Sequence, residues 1–272
     1  MVQQIMVCLT YCARTDRKCV IDTVRSPAFE HDIFELFDIS HSHIAAMSPA
    51  EFYAWVKATP ALTINPSVIT HDVIDSILPV NNGRFSPNYE FRGVPAFIDP
   101  TRLYYENVLC HFNCGGGPGM VTFLKSFSPR GTLLEALIER YASLGSDYLA
   151  VHIRNTDYRS DIEAFLDANR AKINRAEKVF LASDSLDTVN RFREEFGDNI
   201  NTFAKLGIGR HSQHHRSGKS FQFAIDAFCD FILLTLGKDY IYSCAQSGFS
   251  RNALSLFMDA AYREKYRTLI TS

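Results

Sequence analysis

Polar and apolar positions fall into two regimes along this 272-residue chain. In the second half, Leu133, Leu134, Leu137, Ile138 and Tyr141 recur at helical spacing and predict an amphipathic helix over 131–144. Beyond it, short apolar runs alternate with helical stretches. The pattern predicts strand 147–152, helix 161–172, strand 178–182 and helix 186–196, then a strand or loop over 199–205. Helix 219–236, strand 239–243 and helix 248–258 complete it. Such alternation predicts a parallel sheet with helices on both faces. The first half is less regular. Residues 3–14 fit a helix, 18–22 a short buried strand, and 49–58 a short helix around Trp55, while 29–38 mix acidic and aromatic residues. Prolines at 60, 66, 79, 87, 95 and 100, with Asn81-Asn82-Gly83, predict loops from 60 to 100. A strand within 103–112 is expected to break at Gly115-Gly116-Gly117-Pro118-Gly119. The expected domains are 1–125 and 126–272, the second better formed.

Composition narrows the function classes by exclusion. The chain is 46% apolar and 21% charged with a net charge of −2, so it offers no electrostatic footprint for nucleic acid or a membrane surface. No stretch approaches the ~20 apolar residues of a membrane span, and no basic, then apolar, leader opens the chain. A soluble, cytoplasmic protein is expected. The seven cysteines (8, 12, 19, 110, 114, 229, 244) are odd in number and form no CxxC pair, which reads as free thiols of a reducing compartment.

Three strand-to-helix junctions carry the candidate chemistry. The run Tyr148-Leu-Ala-Val-His-Ile-Arg-Asn-Thr-Asp157 opens from a buried strand onto His152, Arg154 and Asp157. In open α/β sheets ligands bind at the carboxyl ends of strands, and the planar, always-charged Arg fork matches phosphate oxygens. A His–Asp hydrogen bond beside a surface salt bridge of Arg154 is the structural alternative. Ser183-Asp184-Ser185 follows the next strand and fits either a ligand contact or a helix N-cap. Ser243 to Arg251, with Ser247, Phe249 and Ser250, joins the last strand to a helix whose amino end suits an anion, or is again a simple cap. Three hydroxyl-bearing junctions at one sheet edge point to a nucleoside diphosphate. Gly218-Lys219-Ser220 fails as a P-loop because Gln213 stands where glycine is required. His211, His214 and His215 lie among Arg210, Arg216 and Lys219, which repel a cation, so no metal site is expected there. That segment reads as a basic loop, and the glycine run as an anion nest or an interdomain turn.

Together, Val151-His-Ile-Arg-Asn-Thr-Asp157, Phe180-Leu-Ala-Ser-Asp184, Asp230-Phe-Ile-Leu-Leu and Ser247-Gly-Phe-Ser-Arg251 resemble the fucosyltransferase superfamily of nodulation, core α1,6- and protein O-fucosyltransferases. The likeness covers 148–256, and Arg14 to Asp22 and Ile33 to Asp38 resemble the family's first domain. It implies a GT-B-like α/β fold of two Rossmann-like domains with parallel sheets, the amino-terminal one irregular and acceptor-side. It also implies inverting, metal-independent transfer of fucose, or a related deoxysugar, from a GDP-sugar to a glycan hydroxyl. No cofactor is implied beyond that co-substrate.

By the same resemblance Arg154 meets the β-phosphate and the charge on departing GDP. His152 holds the diphosphate or positions Arg154, and Ser247, Phe249 and Ser250 meet phosphates and nucleoside. Asp184 touches the nucleoside, and Asp230, with Asp226 as rival, meets the guanine or supports its loop. Asp161 and Glu163 are the nearest carboxylates for the base that deprotonates the acceptor. The family opens with a strand and a Gly-Asn-Arg loop ahead of the helix matching 3–14, and no such segment precedes Met1 here. Its absence implies a truncated product, a misassigned start or a chain with a weakened donor site, and an incomplete first domain would expose sheet edge and apolar helix face, inviting dimerisation (a homo-oligomer) or instability. The alternative to an active transferase is a catalytically silent nucleotide-sugar binder.

Overall fold

In a computed structural model the chain divides into two compact units, Met1–Ile33 with Ile39–Phe127, and Phe34–Asp38 with Ser128–Ser272. The structure describes residues 1–26, 29–77, 80–81, 89–113, 117–155, 160–204 and 221–272.

In the first unit, helix α1 (Val2–Thr15) buries Val2, Ile5, Leu9 and Cys12, a stripe at helical spacing, and ends at Asp16 in a left-handed conformation. Helix α2 (Pro49–Lys57) starts on a capping box in which Ser48 and Glu51 satisfy each other's backbone N–H groups. Strands β1 (Ile64–Asn65) and β2 (Val108–Leu109) pair in parallel. Val56, Ile64, Ile69, Ile74, Ile77 and Val108 pack together around them. Helix α3 (Gly119–Ser126), which the pattern of the sequence does not announce, packs on α1. Short antiparallel strands at Val80–Asn81, Tyr89–Phe91 and Val94–Pro95 occupy part of the expected loop region.

Two expected strands are corrected. Residues 18–22 form only a single parallel bridge, Cys19 to Ile44. The strand within 103–112 contracts to β2, because Arg17 takes the carbonyls of Tyr104 and Glu106, both at 2.8 Å, and holds that segment as a loop.

The second unit follows the alternation. Helix α4 (Gly131–Leu144) precedes β3 (Leu149–Ile153), α5 (Ile162–Arg175), β4 (Val179–Ser183), α6 (Leu186–Phe196) and β5 (Ile200–Asn201). Helix α7 (Phe221–Leu236), β6 (Asp239–Tyr242), α8 (Gly248–Phe257) and α9 (Ala260–Thr271) follow. The four strands form one parallel sheet in the order β5-β4-β3-β6. Leu149, Val151 and Ile153 point to one face and pack with Leu166 and Ile173 of α5 and Val189 and Phe192 of α6. Helix α7 covers the other face, where the Tyr148 hydroxyl donates to the Leu233 carbonyl at 2.6 Å. A Cβ at Gly237, in the turn between α7 and β6, would come within 3.1 Å of the Tyr148 and Asp239 carbonyls, so glycine lets the two segments approach closely there.

The architecture is thus α/β and GT-B-like, with a Rossmann-like second unit and an irregular first unit holding one short parallel pair. Among the described residues no helix is long and apolar enough to cross a membrane.

Candidate functional site

The sheet order sets the site's place. Strands β3, β4 and β5 progress to one side, and β6 returns to the other side of β3. Between β3 and β6 the direction of winding reverses, the switch point at which such sheets bind ligands. The register pairs His152 with both Ala182 and Tyr242, so β3, β4 and β6 end level and their following residues emerge at one edge.

His152 alternates with its apolar neighbours and therefore faces away from α5 and α6. It is 5% exposed. Its Nδ1 shares a 2.7 Å hydrogen bond with Ser250 Oγ, and its ring lies 4.9 Å from that of Phe249. Phe249 in turn meets Phe231 of α7 edge-on at 4.8 Å. Burial, then the Arg154 charge, push the His152 pKa down to about 3, so the imidazole is neutral at physiological pH. Ser247 caps α8 by accepting from the Ser250 N–H at 3.3 Å. Beyond it, among the described residues a Cβ built on Gly248 would meet nothing within 4 Å.

Arg154 follows β3 and its Nε sits 3.1 Å from Asp184 Oδ2, with 15% and 10% of the two side chains exposed. The Asn155 N–H donates to the other Asp184 oxygen at 2.8 Å, and Asn155 Nδ2 donates to Thr188 Oγ1 at 3.0 Å. Ser243, just past β6, accepts from the Arg154 N–H at 3.2 Å and hydrogen-bonds Ser160 Oγ at 2.7 Å. Ser160 closes the turn by donating to the Arg154 carbonyl at 2.6 Å. Residues just past three strands therefore meet at Arg154, Asp184 on its guanidinium and Ser243 on its backbone N–H. Asn155, Ser160, Ser243 and Thr188 carry no periodicity or charge that marks them in sequence; their only signal is adjacency to the charged motif and to strand ends.

The structure brings together His152, Arg154, Asp184, Ser247, Phe249 and Ser250. It places the other candidates elsewhere. Asp161 caps α5 by accepting from the Ala164 N–H at 3.0 Å, and Glu163 gives both oxygens to Arg191 at 3.2 Å. Asp230 lies buried within α7 under the electrostatic influence of Arg140 of α4 and of Asp226, and its Oδ1 has no hydrogen-bond partner. Burial raises its pKa to about 7, Arg140 working against and Asp226 with the shift. Asp226 is the residue that pairs with Arg140, and it also accepts from Gln222 at 3.0 Å. Asp157, His211, His214, His215, Gly115 and Gly116 lie outside the described residues. Among the described residues no three His, Cys, Asp or Glu side chains converge as a metal site, and Cys8, Cys12, Cys19, Cys110, Cys229 and Cys244 are unpaired thiols.

A parallel sheet with Arg154 and a helix amino end beside its switch point is the layout in which open α/β sheets take ligands at the strand edge. Structures of a particular kind share the fold. The NodZ α-1,6-fucosyltransferase soaked with GDP-fucose superposes with a TM-score of 0.60 at 16% identity, covering 96% of this chain and 91% of that one. The NodZ enzyme co-crystallised with GDP gives 0.59 at 17% identity, covering 94% and 87%. The fucosyltransferase NodZ from Bradyrhizobium gives 0.57 at 16%, covering 93% and 87%. At such identity the likeness is one of fold. No protein-family model matches the chain, and no curated protein matches it in sequence.

Proposed function

We propose that the chain is a glycosyltransferase related to the fucosyltransferases, moving fucose or a related deoxysugar from a GDP-sugar to a glycan hydroxyl with inversion. The observation that carries this reading is Arg154, held by Asp184 and Ser243 beside the amino end of α8 at the sheet's switch point. Fold likeness to structures containing GDP and GDP-fucose supports the choice of donor.

In this reading the diphosphate lies against the guanidinium of Arg154 and the first-turn amides of α8. Charge builds on the leaving diphosphate as the glycosidic bond breaks, and a preorganised cation and helix dipole stabilise that charge more than the ground state. No metal is assigned to this role. Neutral His152, fixed by Ser250 and packed on Phe249, supports the floor of the site without competing for the anion. Attack by the acceptor hydroxyl on the face opposite the leaving group inverts the anomeric carbon. Asp161 and Glu163 stand as the two candidate carboxylates for the acceptor's proton, the first also capping α5 and the second also paired with Arg191.

Calorimetric titration with GDP, ADP and UDP, followed by a GDP-release assay with GDP-fucose and a glycan panel, tests the proposal. Selective GDP binding with acceptor-dependent release is expected. Equal affinity for the three nucleotides, or none, overturns it. GDP binding without release under any acceptor would instead make the chain a silent nucleotide-sugar binder.

A further inference from the structure

The first unit gathers three thiols that the donor site does not use. Cys8 and Cys12 lie one helical turn apart on α1 and so share a face of that helix. The left-handed Asp16 ends α1 and turns the chain, with the Arg17 N–H donating to the Cys12 carbonyl at 3.0 Å. The turn returns Cys19 to the same face, where its thiol hydrogen-bonds with those of both Cys12 and Cys8. The Cys19 backbone is pinned by its parallel bridge to Ile44. Its N–H donates to the His43 carbonyl at 2.7 Å, and its carbonyl accepts from the Ala45 N–H at 2.9 Å. A helix face on one side and a paired backbone on the other therefore hold the three sulfurs together.

The three thiols are not equivalent. Cys12 is buried, whereas Cys8 and Cys19 are partly exposed and both line a cavity of about 120 Å³ beside α1. The hydrogen bond with Cys19, then burial, pushes the Cys12 thiol pKa up. At Cys19 the hydrogen bond with Cys12 works downward, but that with Cys8, together with burial, outweighs it and the pKa again rises. A thiol that keeps its proton is a poor first nucleophile. Cys12 is thus set aside by burial and by its proton, and Cys19 by its proton. Cys8 remains to meet a small oxidant that enters the cavity, with Cys19 in contact to receive the product.

We propose that Cys8 and Cys19 form a reversible disulfide on exposure to a peroxide, with Cys8 oxidised first. The Cys8 sulfur attacks a peroxide oxygen; an S–O bond forms, the O–O bond breaks, and one water departs to leave a sulfenic acid on Cys8. The Cys19 sulfur then attacks the Cys8 sulfur. An S–S bond forms, the S–O bond breaks, and the hydroxide leaves with the Cys19 proton as a second water. Two thiols are oxidised to one disulfide and hydrogen peroxide is reduced to two waters. The bond clips α1 to the segment bridged to Ile44, across the cavity that both thiols line.

The test exposes the reduced full chain to hydrogen peroxide, blocks the remaining thiols with iodoacetamide and cleaves after Lys and Arg. Cys8 and Cys12 then lie on peptide 1–14 and Cys19 on peptide 19–25. A cross-link between these peptides is expected, assigned to Cys8 by fragmentation and reversed by dithiothreitol. It should persist in Cys12→Ser and be lost in Cys8→Ser. In urea Cys8 and Cys12 should compete for Cys19 with little preference, since the loops they close differ only slightly in length. A cross-link carried by Cys12 or by any other cysteine in the folded chain overturns the proposal. So does oxidation of Cys8 that proceeds to a sulfinic acid without a disulfide, an unreacted Cys8, or the same preference for Cys8 in urea.

Discussion

Replacing Arg154 by Ala separates a structural ion pair from a ligand-binding one, because the two roles predict different losses. Arg154 and Asp184 meet at 3.1 Å with little of either side chain in water. Removing one partner of a buried pair typically costs about 3–5 kcal/mol, because the other charge is left desolvated. Here Asp184 keeps the Asn155 N–H at 2.8 Å and some solvent, which lowers the expected loss to about 2 kcal/mol. The pair itself is isolated by a double-mutant cycle with Asp184→Ala, in which the double variant should lose about 1–3 kcal/mol less than the sum of the singles in urea unfolding. Ligand binding is a separate quantity. A charge-assisted hydrogen bond to phosphate contributes about 1.5–3 kcal/mol, so GDP affinity should fall about tenfold to a hundredfold in Arg154→Ala. Calorimetry on the folded variant reads this directly. Unchanged GDP affinity together with a coupled, destabilised cycle would show that Arg154 serves the fold alone, and the proposed leaving-group role would be wrong.

Other tests address the buried titratable groups and the positioning contacts. His152 and His111 have folded pKa values near 3 and 4, below the unfolded value of about 6.5. The unfolded chain therefore binds more protons between those limits, so their contribution to stability is intact above about pH 6.5 and is lost as pH falls toward 4. Urea unfolding from pH 7.5 to 4 should show that decline, and His152→Gln should flatten it; an unchanged slope would contradict burial of a neutral ring. Asp230 acts with the opposite sign, since its pKa of about 7 exceeds the unfolded value of about 3.9 and stability is lost as pH rises through 7. Asp230→Asn should thus stabilise the chain by about 1 kcal/mol or more at pH 8 and change little at pH 4.5; destabilisation at pH 8 would mean the carboxylate is needed in its charged form. Ser250→Ala removes the 2.7 Å partner of His152 in a fully buried position and should cost about 1–2 kcal/mol in urea unfolding, whereas a loss near zero would mean that the imidazole is held by Phe249 alone.

The second unit was legible because its elements obey one pattern each. Leu149 to Ile153 and Val179 to Ala182 are buried on both faces and read as apolar runs, as central parallel strands must. Helix α9 escaped for a physical reason. Only Tyr262, Tyr266 and Ile270 are buried, a stripe one residue wide per turn, and the intervening charges mask it. Arg263 and Arg267 are moreover packing residues, donating to the Gly237 and Leu236 carbonyls at the end of α7. Helix α3 begins at Gly119 with no side-chain cap, so nothing in its sequence announces a start. In the first unit, the segment before β2 looks like a strand by residue type, yet Arg17, some 90 positions earlier, takes its carbonyls. Composition cannot express that competition.

The candidate site divides along the same line. An Arg or a neutral His at the end of a buried strand is visible in sequence because strand formation does not ask for either. Which carboxylate answers them is invisible, because it depends on register. Asp184 reaches Arg154 only because Ile153 pairs with Ser183, so that one residue past each strand end stands side by side. Asp161 and Glu163 are nearer to Arg154 in sequence, but the turn closed by Ser160 runs straight into α5, whose first residues are drawn into capping and the Arg191 pair. Proximity along the chain therefore overstates both as partners of Arg154. The lateral register of the sheet, which aligns Asp184, Ser243 and Arg154 at one edge, is what gathers residues that in sequence read equally well as three ordinary helix starts.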